Sequence, residues 1–220
     1  MSNKSLIQMK LDFGQKNFGM QKCKTCGMMY TAGDDEDIKS HEKYHRNTLK
    51  VGKYKKESVV EDFFNGDTII QLDLKSQSGM KTFSSILIKI NEELGDCNLN
   101  DKLKENVAPN IKVFLYVNHQ KKEIVGCCIC ENIKEASRII PDRFGLASSK
   151  MTNALCGIQK IWVDKRFRKL GIATALIDTC RKNLIFSFIV PIEKVAFTAP
   201  TADGRMFAQK YCKTESFLVY

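Results

Sequence analysis

The sequence predicts a mixed α/β protein, in which helices cover a sheet, together with a small module near the N-terminus. Three observations support this prediction. Strand-like and helix-like segments follow one another after Ser58 in an order that suits an α/β or α+β sheet. Upstream of them, two cysteines and two histidines have the spacing of metal ligands. A basic segment that contains a glycine, KVGKYKKE at 50–57, separates the two parts.

The composition is that of a globular chain with a basic surface. The 220 residues include 35 Lys and Arg against 25 Asp and Glu, a net charge of +10, so we expect acidic partners. Nucleic acid and an anionic cofactor both satisfy that expectation. No apolar run approaches the ~18–20 residues of a membrane-spanning helix, and MSNKSLIQMK has no apolar signal region. We therefore expect an intracellular protein without a membrane partner.

Residues 1–17 are polar and lack periodicity, which predicts a flexible leader. Within it, QMKLDF at 8–13 places an aliphatic residue three positions after a glutamine, with an aromatic residue behind it. This partly resembles the peptide that docks on the replication sliding clamp, although the usual aromatic pair is missing. The resemblance implies a contact with the clamp, and the alternative is a tail without a partner.

Residues 18–49 carry a pattern typical of a zinc finger. Cys23 and Cys26 are separated by two residues, and His41 and His45 lie four apart, on one face of a helix. The full pattern is C-x2-C-x14-H-x3-H. In a reducing compartment, metal binding is favoured over disulfides for the nine cysteines. We predict a structural Zn²⁺ bound by these four residues in a small ββα finger.

Direct DNA recognition is a weaker alternative for this finger. DNA-reading fingers usually occur in tandem and present polar side chains to base edges. Here there is one finger, and its helix begins with DDED at 34–37, which a phosphate backbone would repel. The same acidic residues suit the positive end of the helix dipole. The finger is therefore interpreted as a folding or interaction module.

The domain predicted over residues 58–220 opens with a hairpin and a helix. Apolar runs at 59–64 and 67–74 flank Asn65-Gly66, a dipeptide that suits a type I′ turn. The next segment has apolar residues at spacings of three and four, which predicts one buried helix face. Gly95 ends this helix, and the buried face comprises Phe83, Ile86, Leu87, Ile90 and Leu94.

A second hairpin is expected at 113–117 and 124–130, around a polar turn. Small hydrophobic side chains pack well inside such a strand, so we expect buried thiols rather than metal ligands at Cys127, Cys128 and Cys130. Residues 131–155 carry mixed charge, a proline and a glycine. They are predicted to form a loop with room for one helical turn.

The C-terminal third alternates strands and helices. Five elements are expected: a strand at 157–163, a helix at 171–183, a strand at 194–198, a helix at 204–211 and a strand at 217–220. This alternation completes the predicted sheet and its covering helices.

RKLGIA at 168–173 fits R-x-x-G-x-A at the junction between a strand and a helix. Backbone N–H groups at a helix start are unpaired, and the helix dipole adds positive potential. Gly171 permits close approach of the backbone, and neighbouring basic residues attract anions. The junction predicts a cradle for a pyrophosphate, and the alternative is a basic loop before an ordinary helix. No Walker or dinucleotide-binding motif occurs in the sequence.

This motif, placed after a strand, resembles the acetyl-CoA motif of the GNAT acyltransferases. Other segments narrow the resemblance: FGMQKCKTCGMMYT at 18–31, IWVDKRFRKLGIATALI at 161–177, VAFTAPTADGRMFAQKYC at 195–212 and the terminal FLVY. Together they resemble the establishment-of-cohesion acetyltransferases from about Asp12 onward. The resemblance implies a GNAT fold and a nuclear, chromatin-associated enzyme that acetylates lysines of the ATPase-head subunit of cohesin during replication.

The resemblance assigns acetyl-CoA to three segments. Backbone groups of Ile161, Trp162 and Val163 would pair with the pantetheine arm. The pyrophosphate would lie on the motif, which comprises Arg168, Lys169, Leu170, Gly171, Ile172, Ala173 and Thr174. A further loop that contacts the cofactor comprises Thr201, Ala202 and Asp203. An alternative role for Trp162 is that of a core aromatic.

The resemblance is incomplete at the residues that would move protons. Ala199 stands where the family commonly has a polar or acidic residue, and Gln159 stands where it often has serine. The remaining candidates are Asp178 and Asp203 for the base and Tyr211 for the acid that protonates the thiolate. Asp178 is alternatively a solvated helix residue, and Asp203 a helix N-cap. A second interpretation therefore stays open, a catalytically impaired adaptor that keeps the finger and the cofactor fold.

Overall fold

The computed structural model describes residues 19–23, 28–46, 49, 56–94, 110–141, 147–198 and 200–220. The chain divides into two compact units, Met1–Thr48 and Leu49–Tyr220. Within the described ranges, no helix combines the length and apolarity that crossing a membrane requires. The predicted leader at 1–17, Gly95 and Ala199 lie outside these ranges.

The first unit contains a hairpin followed by a helix. Strands β1 (Gly19–Lys22) and β2 (Met29–Ala32) pair antiparallel, and helix α1 covers Asp35–Arg46. The carboxylate of Asp34 accepts bonds from two first-turn N–H groups, at 2.9 and 3.1 Å, and so caps the helix. This is the ββα order predicted for the finger, and the acidic run serves the helix N-terminus.

The second unit is built on one sheet. Its strands in the described residues are β3 (Val59–Asp62), β4 (Thr68–Gln71), β5 (Ile111–Asn118), β6 (Glu123–Asn132), β7 (Glu135–Ile139), β8 (Ala147–Asn153), β9 (Cys156–Val163), β10 (Val195–Phe197) and β11 (Leu218–Val219). Their order in the sheet is β3-β4-β5-β6-β9-β10-β11-β7-β8. The β10 strand pairs in parallel with β9 and β11, and all other pairs are antiparallel.

Among the described residues, three helices pack on this sheet: α2 (Gln77–Leu94), α3 (Ile172–Asn183) and α4 (Ala202–Cys212). The predicted stripe of α2 is buried at Phe83, Ile86, Leu87 and Ile90, in a core cluster with β5, β6 and Trp162. Burying a side chain of this size stabilises the fold by about 1.5–3 kcal/mol. The mixed α/β architecture predicted from the sequence is therefore confirmed.

The three strand cysteines are buried, as predicted, and they divide between two core clusters. Cys127 belongs to the cluster under α2, whereas Cys128 and Cys130 belong to the cluster that α3 covers. Successive strand residues point to opposite faces, which explains the division. On the α3 side, the sulfur of Cys180 lies 3.3 Å from the sulfur of Cys128. Cysteine here serves as a small hydrophobic residue between helix and sheet.

The first hairpin does not turn with the predicted type I′ geometry. The N–H of Gly66 donates to the carbonyl of Phe63 at 2.9 Å, so the turn centres on Phe64 and Asn65. Neither has a positive φ, whereas Gly66 has a φ of +81°. This is a type I turn followed by a left-handed glycine. The prediction was wrong because the side chain of Asn65 turns back and bonds to Asp67 at 2.9 and 3.0 Å.

Residues 131–155, predicted to form a loop, instead contain the antiparallel pair β7 and β8. Ala136 and Ile139 of β7 are buried, but β8 is exposed along most of its length. Because β8 is the last strand in the sheet order, its side chains need not be apolar. The prediction was wrong because an edge strand of this kind lacks the alternating pattern by which strands are recognised.

Candidate active site

The candidate site begins where strand β9 separates from β10. The two strands pair from Cys156 to Ile158, and the last bond runs from the N–H of Thr198 to the carbonyl of Ile158 at 3.0 Å. Beyond this point β9 continues to Val163, paired with β6 alone in the described residues. The separation leaves one edge of β9 open, which is the edge predicted to pair with a pantetheine arm.

A β-bulge marks the point of separation. Ile129 of β6 pairs with Lys160, and Cys130 pairs with Ile158, so Gln159 is the extra residue on β9. Bulges bend a strand and redirect a side chain, and they are common next to active sites. The bulge therefore accounts for the divergence of β9 from β10. It also sets the direction of the Gln159 side chain, whose contacts are described below.

The pyrophosphate motif lies at the start of α3, as predicted. Gly171 is the N-cap, with a φ of +82°, and Lys169 also has a positive φ of +66°. No side chain of the described residues caps this helix, and its first turn carries no acidic residue. A β-carbon on Gly171 would meet nothing within 4 Å. The first N–H groups of α3 are consequently accessible to an anion.

The basic residues before Gly171 have different roles. The guanidinium of Arg166 is bound to Asp164 at 2.8 Å and to Glu123 at 3.1 Å. The bond to Asp164 raises the pKa of Arg166. Burial acts to raise the pKa of Asp164, but the bonds from Arg166 outweigh it and leave that pKa lowered. Arg166 therefore fixes the loop and is not available to a phosphate, in contrast to the exposed Lys165 and Lys169.

Arg168 lies between several elements around the open edge of β9. Its Nε donates to the carbonyl of Val163 at 3.1 Å. Its terminal nitrogens lie 3.7 Å from the carboxylate of Asp203 on α4 and 3.9 Å from that of Glu93 on α2. The structure thus brings together two predicted cofactor residues, Arg168 and Asp203. Glu93 also accepts a bond from the indole of Trp162 at 3.0 Å, and no pattern in the sequence pointed to it.

The side chain of Trp162 belongs to the core, which is the alternative role considered for it. It is 1% exposed and packs in the cluster under α2. Ile161 and Val163 are partly buried against the cluster on the opposite face. Only the backbone of these three residues faces the opening between the strands. Their assignment to the pantetheine arm is therefore a prediction about main-chain groups.

Asp178 and Tyr211, two of the predicted catalytic residues, bond to each other. The phenol of Tyr211 donates to Asp178 at 2.6 Å, and Arg181 donates to both, at 3.0 Å to Asp178 and 3.2 Å to Tyr211. Burial, reinforced by the bond to Asp178, raises the pKa of Tyr211 well above its ordinary value. Tyr211 therefore keeps its proton at neutral pH and cannot act as a base.

Asp203 does not cap α4, the alternative role considered for it. The N-cap is Thr201, whose hydroxyl accepts a bond from the N–H of Gly204 at 3.2 Å. Asp203 lies in the first turn with a side chain that is 79% exposed. Ala202 is exposed beside it. Thr201 was preferred as the cap because a hydroxyl in that position can reach back to the first helical amides.

A second polar cluster surrounds Gln159, and the sequence did not predict it. Nε2 of Gln159 donates to Oε1 of Glu131 at 2.5 Å, and the phenol of Tyr220 donates to the same oxygen at 3.0 Å. The other amide atom, Oε1 of Gln159, is buried without a partner in the part of the chain that the structure describes. Glu131 was missed because it begins the segment that was predicted to be a loop.

Two of the four predicted zinc ligands have described side chains. Cys23 follows β1, and its N–H donates across the turn at 2.8 Å. His41 lies on α1, with its ring stacked on Tyr30 at a centroid distance of 4.2 Å. Cys26 and the side chain of His45 are not described, and the described side chains alone form no group of three metal-binding residues. Two sulfur and two imidazole ligands are a donor set that suits Zn²⁺, and the site stays a prediction.

Three family models match the chain. A model described as ESCO1/2 acetyl-transferase matches residues 152–220. A model of the zinc finger of acetyl-transferase ESCO matches residues 8–47, and the acetyltransferase (GNAT) family matches residues 83–185. The finger and the cofactor motif therefore match models independently of each other.

Individual proteins agree with the family models. The N-acetyltransferase ESCO2 of Homo sapiens is 37% identical over 236 residues, which cover 100% of this chain and 38% of that protein. The chain thus spans about two fifths of the length of this relative. The N-acetyltransferase ECO1 of Saccharomyces cerevisiae is 29% identical, with 96% of this chain and 90% of that protein covered.

Solved structures show the same fold. The xEco2 acetyltransferase domain bound to a K105-CoA conjugate is 30% identical, with a TM-score of 0.64. The match covers 74% of this chain and 96% of that domain. The open edge of β9, the uncapped start of α3 and these similarities lead to one conclusion. The chain belongs to the ESCO family of acetyltransferases, with a GNAT fold preceded by the zinc finger of that family.

Proposed function

We propose that this chain transfers an acetyl group from acetyl-CoA to lysine side chains of the ATPase-head subunit of cohesin. The transfer would establish sister chromatid cohesion during replication, in the nucleus and on chromatin. The observation that carries the proposal is the separation of β9 from β10 beside the uncapped N-terminus of α3. An opening of this kind accepts an extended ligand with an anionic end.

The two ends of acetyl-CoA suit the two parts of this opening. The pantetheine arm contains amide groups, which can pair with the open edge of β9 as an added strand would. The pyrophosphate suits the first N–H groups of α3, with Lys169 and Arg168 nearby. The relative xEco2 binds a CoA conjugate on the same fold, which supports the same use of the fold here.

The chemistry requires a neutral amine, because a lysine ammonium has an ordinary pKa of about 10.4. The amine nitrogen attacks the thioester carbonyl, and N–H groups on the open edge of β9 can stabilise the resulting oxyanion. The C–S bond then breaks, and the thiolate of CoA takes a proton. Tyr211 is the residue predicted to supply it, and its hydroxyl carries a proton at neutral pH.

A direct assay tests the proposal. The full chain is incubated with acetyl-CoA and the cohesin ATPase-head subunit, and acetyl-lysine is located by mass spectrometry. Isothermal titration calorimetry measures binding of acetyl-CoA in parallel. We expect both binding and transfer. Failure to bind acetyl-CoA would contradict the enzyme proposal at its first step, and binding without product would favour the adaptor described next.

A catalytically impaired adaptor is the second candidate, and a specific observation favours considering it. Both carboxylates predicted as bases have cationic partners, since Asp178 is bound to Arg181 at 3.0 Å and Asp203 lies 3.7 Å from Arg168. Both carboxylates are therefore already engaged by a guanidinium group. Ala199 supplies no base of its own. The adaptor would keep the finger and the cofactor fold in order to recruit partners.

Two further parts of the proposal concern the N-terminal region. We propose that Zn²⁺ binds Cys23, Cys26, His41 and His45 and stabilises a module too short to fold on its own core. We also propose that the leader at 1–17 contacts the replication sliding clamp through QMKLDF. A pull-down of the clamp by the full chain, compared with the variant Phe13→Ala, tests the second part. Equal recovery of the clamp by both would contradict it.

A further inference from the structure

We infer that Glu131 accepts the proton of the incoming lysine ammonium, with Gln159 and Tyr220 as the residues that position its carboxylate. The inference rests on the proposed function, because it names a further residue for the same reaction. It starts from the polar cluster at the place where β9 leaves β10. It also supplies a base in a chain whose residue 199 is an alanine, which cannot accept a proton.

The cluster lies on the face of the sheet that α2 covers. Cys127 and Ile129 of β6 belong to the α2 core cluster. Glu131 follows at the same two-residue period, so its side chain points to the same face. Across the ladder it pairs with Gly157, where a β-carbon would meet the ring of Tyr220 at 2.5 Å. The carboxylate and the phenol therefore share the face opposite α3 and α4.

The hydrogen bonds of the cluster leave one acceptor without a donor. Because a carboxylate only accepts, Gln159 must direct its NH₂ group to Glu131 and turn its own oxygen away. That oxygen is buried and has no partner among the described residues. A buried acceptor without a donor is costly, and it calls for an explanation. The oxygen of Gln159 therefore retains the capacity to accept one more donor, next to a carboxylate.

A lysine ammonium is a donor of this kind. It carries three N–H groups and no acceptor, so one can bond to Oε1 of Gln159 while another faces Glu131. The carboxylate is within reach, because Glu131 is partly exposed and Tyr220 is exposed. The ammonium would enter from the α2 face, and the phosphates of the cofactor would lie at α3 on the other face.

The thioester would arrive at the same place. A pantetheine arm that starts at Gly171 and follows β9 from Val163 to Ile161 points towards the bulge at Gln159. The amine and the thioester carbonyl would thus meet where the two strands separate. The bulge is separated along β9 from Arg168, Glu93 and Asp203, which lie near Trp162 and Val163. Glu131 is consequently closer to the reacting atoms along the strand than Asp203 is.

The proton step balances without a further reactant. An N–H bond of the ammonium breaks and an O–H bond forms on Glu131. The neutral amine forms the C–N bond, and the tetrahedral intermediate loses the C–S bond. The new amide nitrogen then loses one proton, and the thiolate of CoA gains one, so these two changes balance. Glu131 releases its own proton to solvent before the next turnover.

The variant Glu131→Gln tests the inference. It keeps an oxygen that accepts from Gln159 and Tyr220, but it cannot take a proton. We expect single-turnover transfer to the cohesin ATPase-head subunit to fall by about 10²-fold or more near neutral pH, with unchanged affinity for acetyl-CoA. The deficit should shrink as the pH approaches ~10, because the free amine then forms without a base. A purely structural role would give a deficit that does not depend on pH.

The variant Tyr220→Phe is a second test, which applies even where Glu131→Gln fails to fold. It keeps the ring over Gly157 and removes one donor to the carboxylate. Loss of a bond to the charged form raises the pKa of a carboxylate, so the acid limb of the rate profile should move to higher pH. The thiol of Cys156 acts with Glu131 on the phenol of Tyr220, and the ammonium of Lys112 acts with Glu131 on the thiol of Cys130.

The control is Glu135→Gln, which removes an exposed carboxylate at the start of β7 and should leave transfer at the wild-type rate. Wild-type transfer by Glu131→Gln, or an unshifted profile in Tyr220→Phe, would overturn the inference alone. Absence of acetyl-lysine with the wild-type chain would overturn the proposed function and this inference with it. The two failures are therefore distinguishable.

Discussion

Gly171 is the residue on which the cofactor cradle depends most directly. The variant Gly171→Asp meets no steric clash, because nothing lies within 4 Å of the added β-carbon. It places a negative charge among the first N–H groups of α3, where a pyrophosphate would bind. We expect the affinity for acetyl-CoA, measured by calorimetry, to fall about tenfold or more.

The matched control for this change is Gly171→Asn, which has a side chain of the same shape without the charge. Asn tolerates the left-handed conformation that a φ of +82° requires, so most of the affinity should remain. Equal losses of affinity in both variants would mean that the backbone conformation at position 171 controls binding of acetyl-CoA, and that the charge does not. Unaltered affinity in the Asp variant would place the pyrophosphate elsewhere.

The catalytic candidates show how far single residues can be predicted. Asp178 was proposed from its position in the family motif and Tyr211 from its place on the last predicted helix, yet the two lie on different helices, α3 and α4. Only the packing of those helices brings the two side chains to 2.6 Å. Glu131 and Gln159 lie 28 residues apart and meet because β6 and β9 are neighbours. Contacts of this kind follow from strand order, which no local pattern contains.

At the scale of elements, the position of α3 depends on close packing against β6. A β-carbon on Gly126 would lie 2.9 Å from Cγ2 of Ile172 and 3.0 Å from Cδ1 of Leu176. Both side chains are buried, so they cannot move aside into solvent. We expect Gly126→Ala to lower the free energy of unfolding by about 1–3 kcal/mol, measured with urea. Acetyl-CoA affinity should fall as well, because Ile172 begins the cofactor helix.

A double-mutant cycle with Ile172→Ala isolates this contact. The single variant Ile172→Ala destabilises the protein, because it empties a buried position. In that background, Gly126→Ala should cost less than it does in the wild-type chain. A full, additive cost would show that the glycine is required for the strand itself and not for the approach of α3.

Elements with a long buried face were predicted well, whereas the neighbouring strands β7 and β8, which bury few side chains, were not. Helix α2 and strands β5, β6 and β9 have regular apolar spacing, because each packs on the core. Strand β8 lies at the edge of the sheet, is mostly exposed and was missed. The bulge at Gln159 was also missed, since an extra residue on one strand is defined only by its partner strand.

At the scale of the whole molecule, stability should decline at alkaline pH. The phenol of Tyr116 donates to the buried Asp67 at 3.2 Å, and burial together with that carboxylate raises the pKa of Tyr116 to about 12. In the unfolded chain the ordinary value is about 10. The raised pKa stabilises the fold fully below pH ~10. This stabilisation, on the order of 1–2 kcal/mol, is lost as the pH rises from ~10 to ~12.

The variant Tyr116→Phe separates this effect from other titrations. It cannot ionise, so the difference in free energy of unfolding between wild type and variant should shrink as the pH rises through that range. Urea unfolding at several pH values measures the difference. A difference that stays constant with pH would show that the phenol titrates alike in both states.

Removal of zinc should affect the two units unequally. A chelator should unfold the first unit, because a module of this size depends on its metal for stability. The second unit should keep its cooperative unfolding and its affinity for acetyl-CoA, since none of the predicted ligands lies within Leu49–Tyr220. Metal analysis and NMR spectra before and after chelation measure the outcome, with Cys23→Ser as the metal-deficient comparison. Loss of acetyl-CoA binding after chelation would contradict this independence.

The sequence by itself determined the features that depend on local spacing. The buried stripe of α2 and the R-x-x-G-x-A junction each arise from residues close together in the chain, so their geometry follows from one helix or turn. The tertiary structure alone decided which residues meet from distant segments. The opening between β9 and β10, the bond between Asp178 and Tyr211 and the cluster of Glu131, Gln159 and Tyr220 all depend on strand order and helix packing.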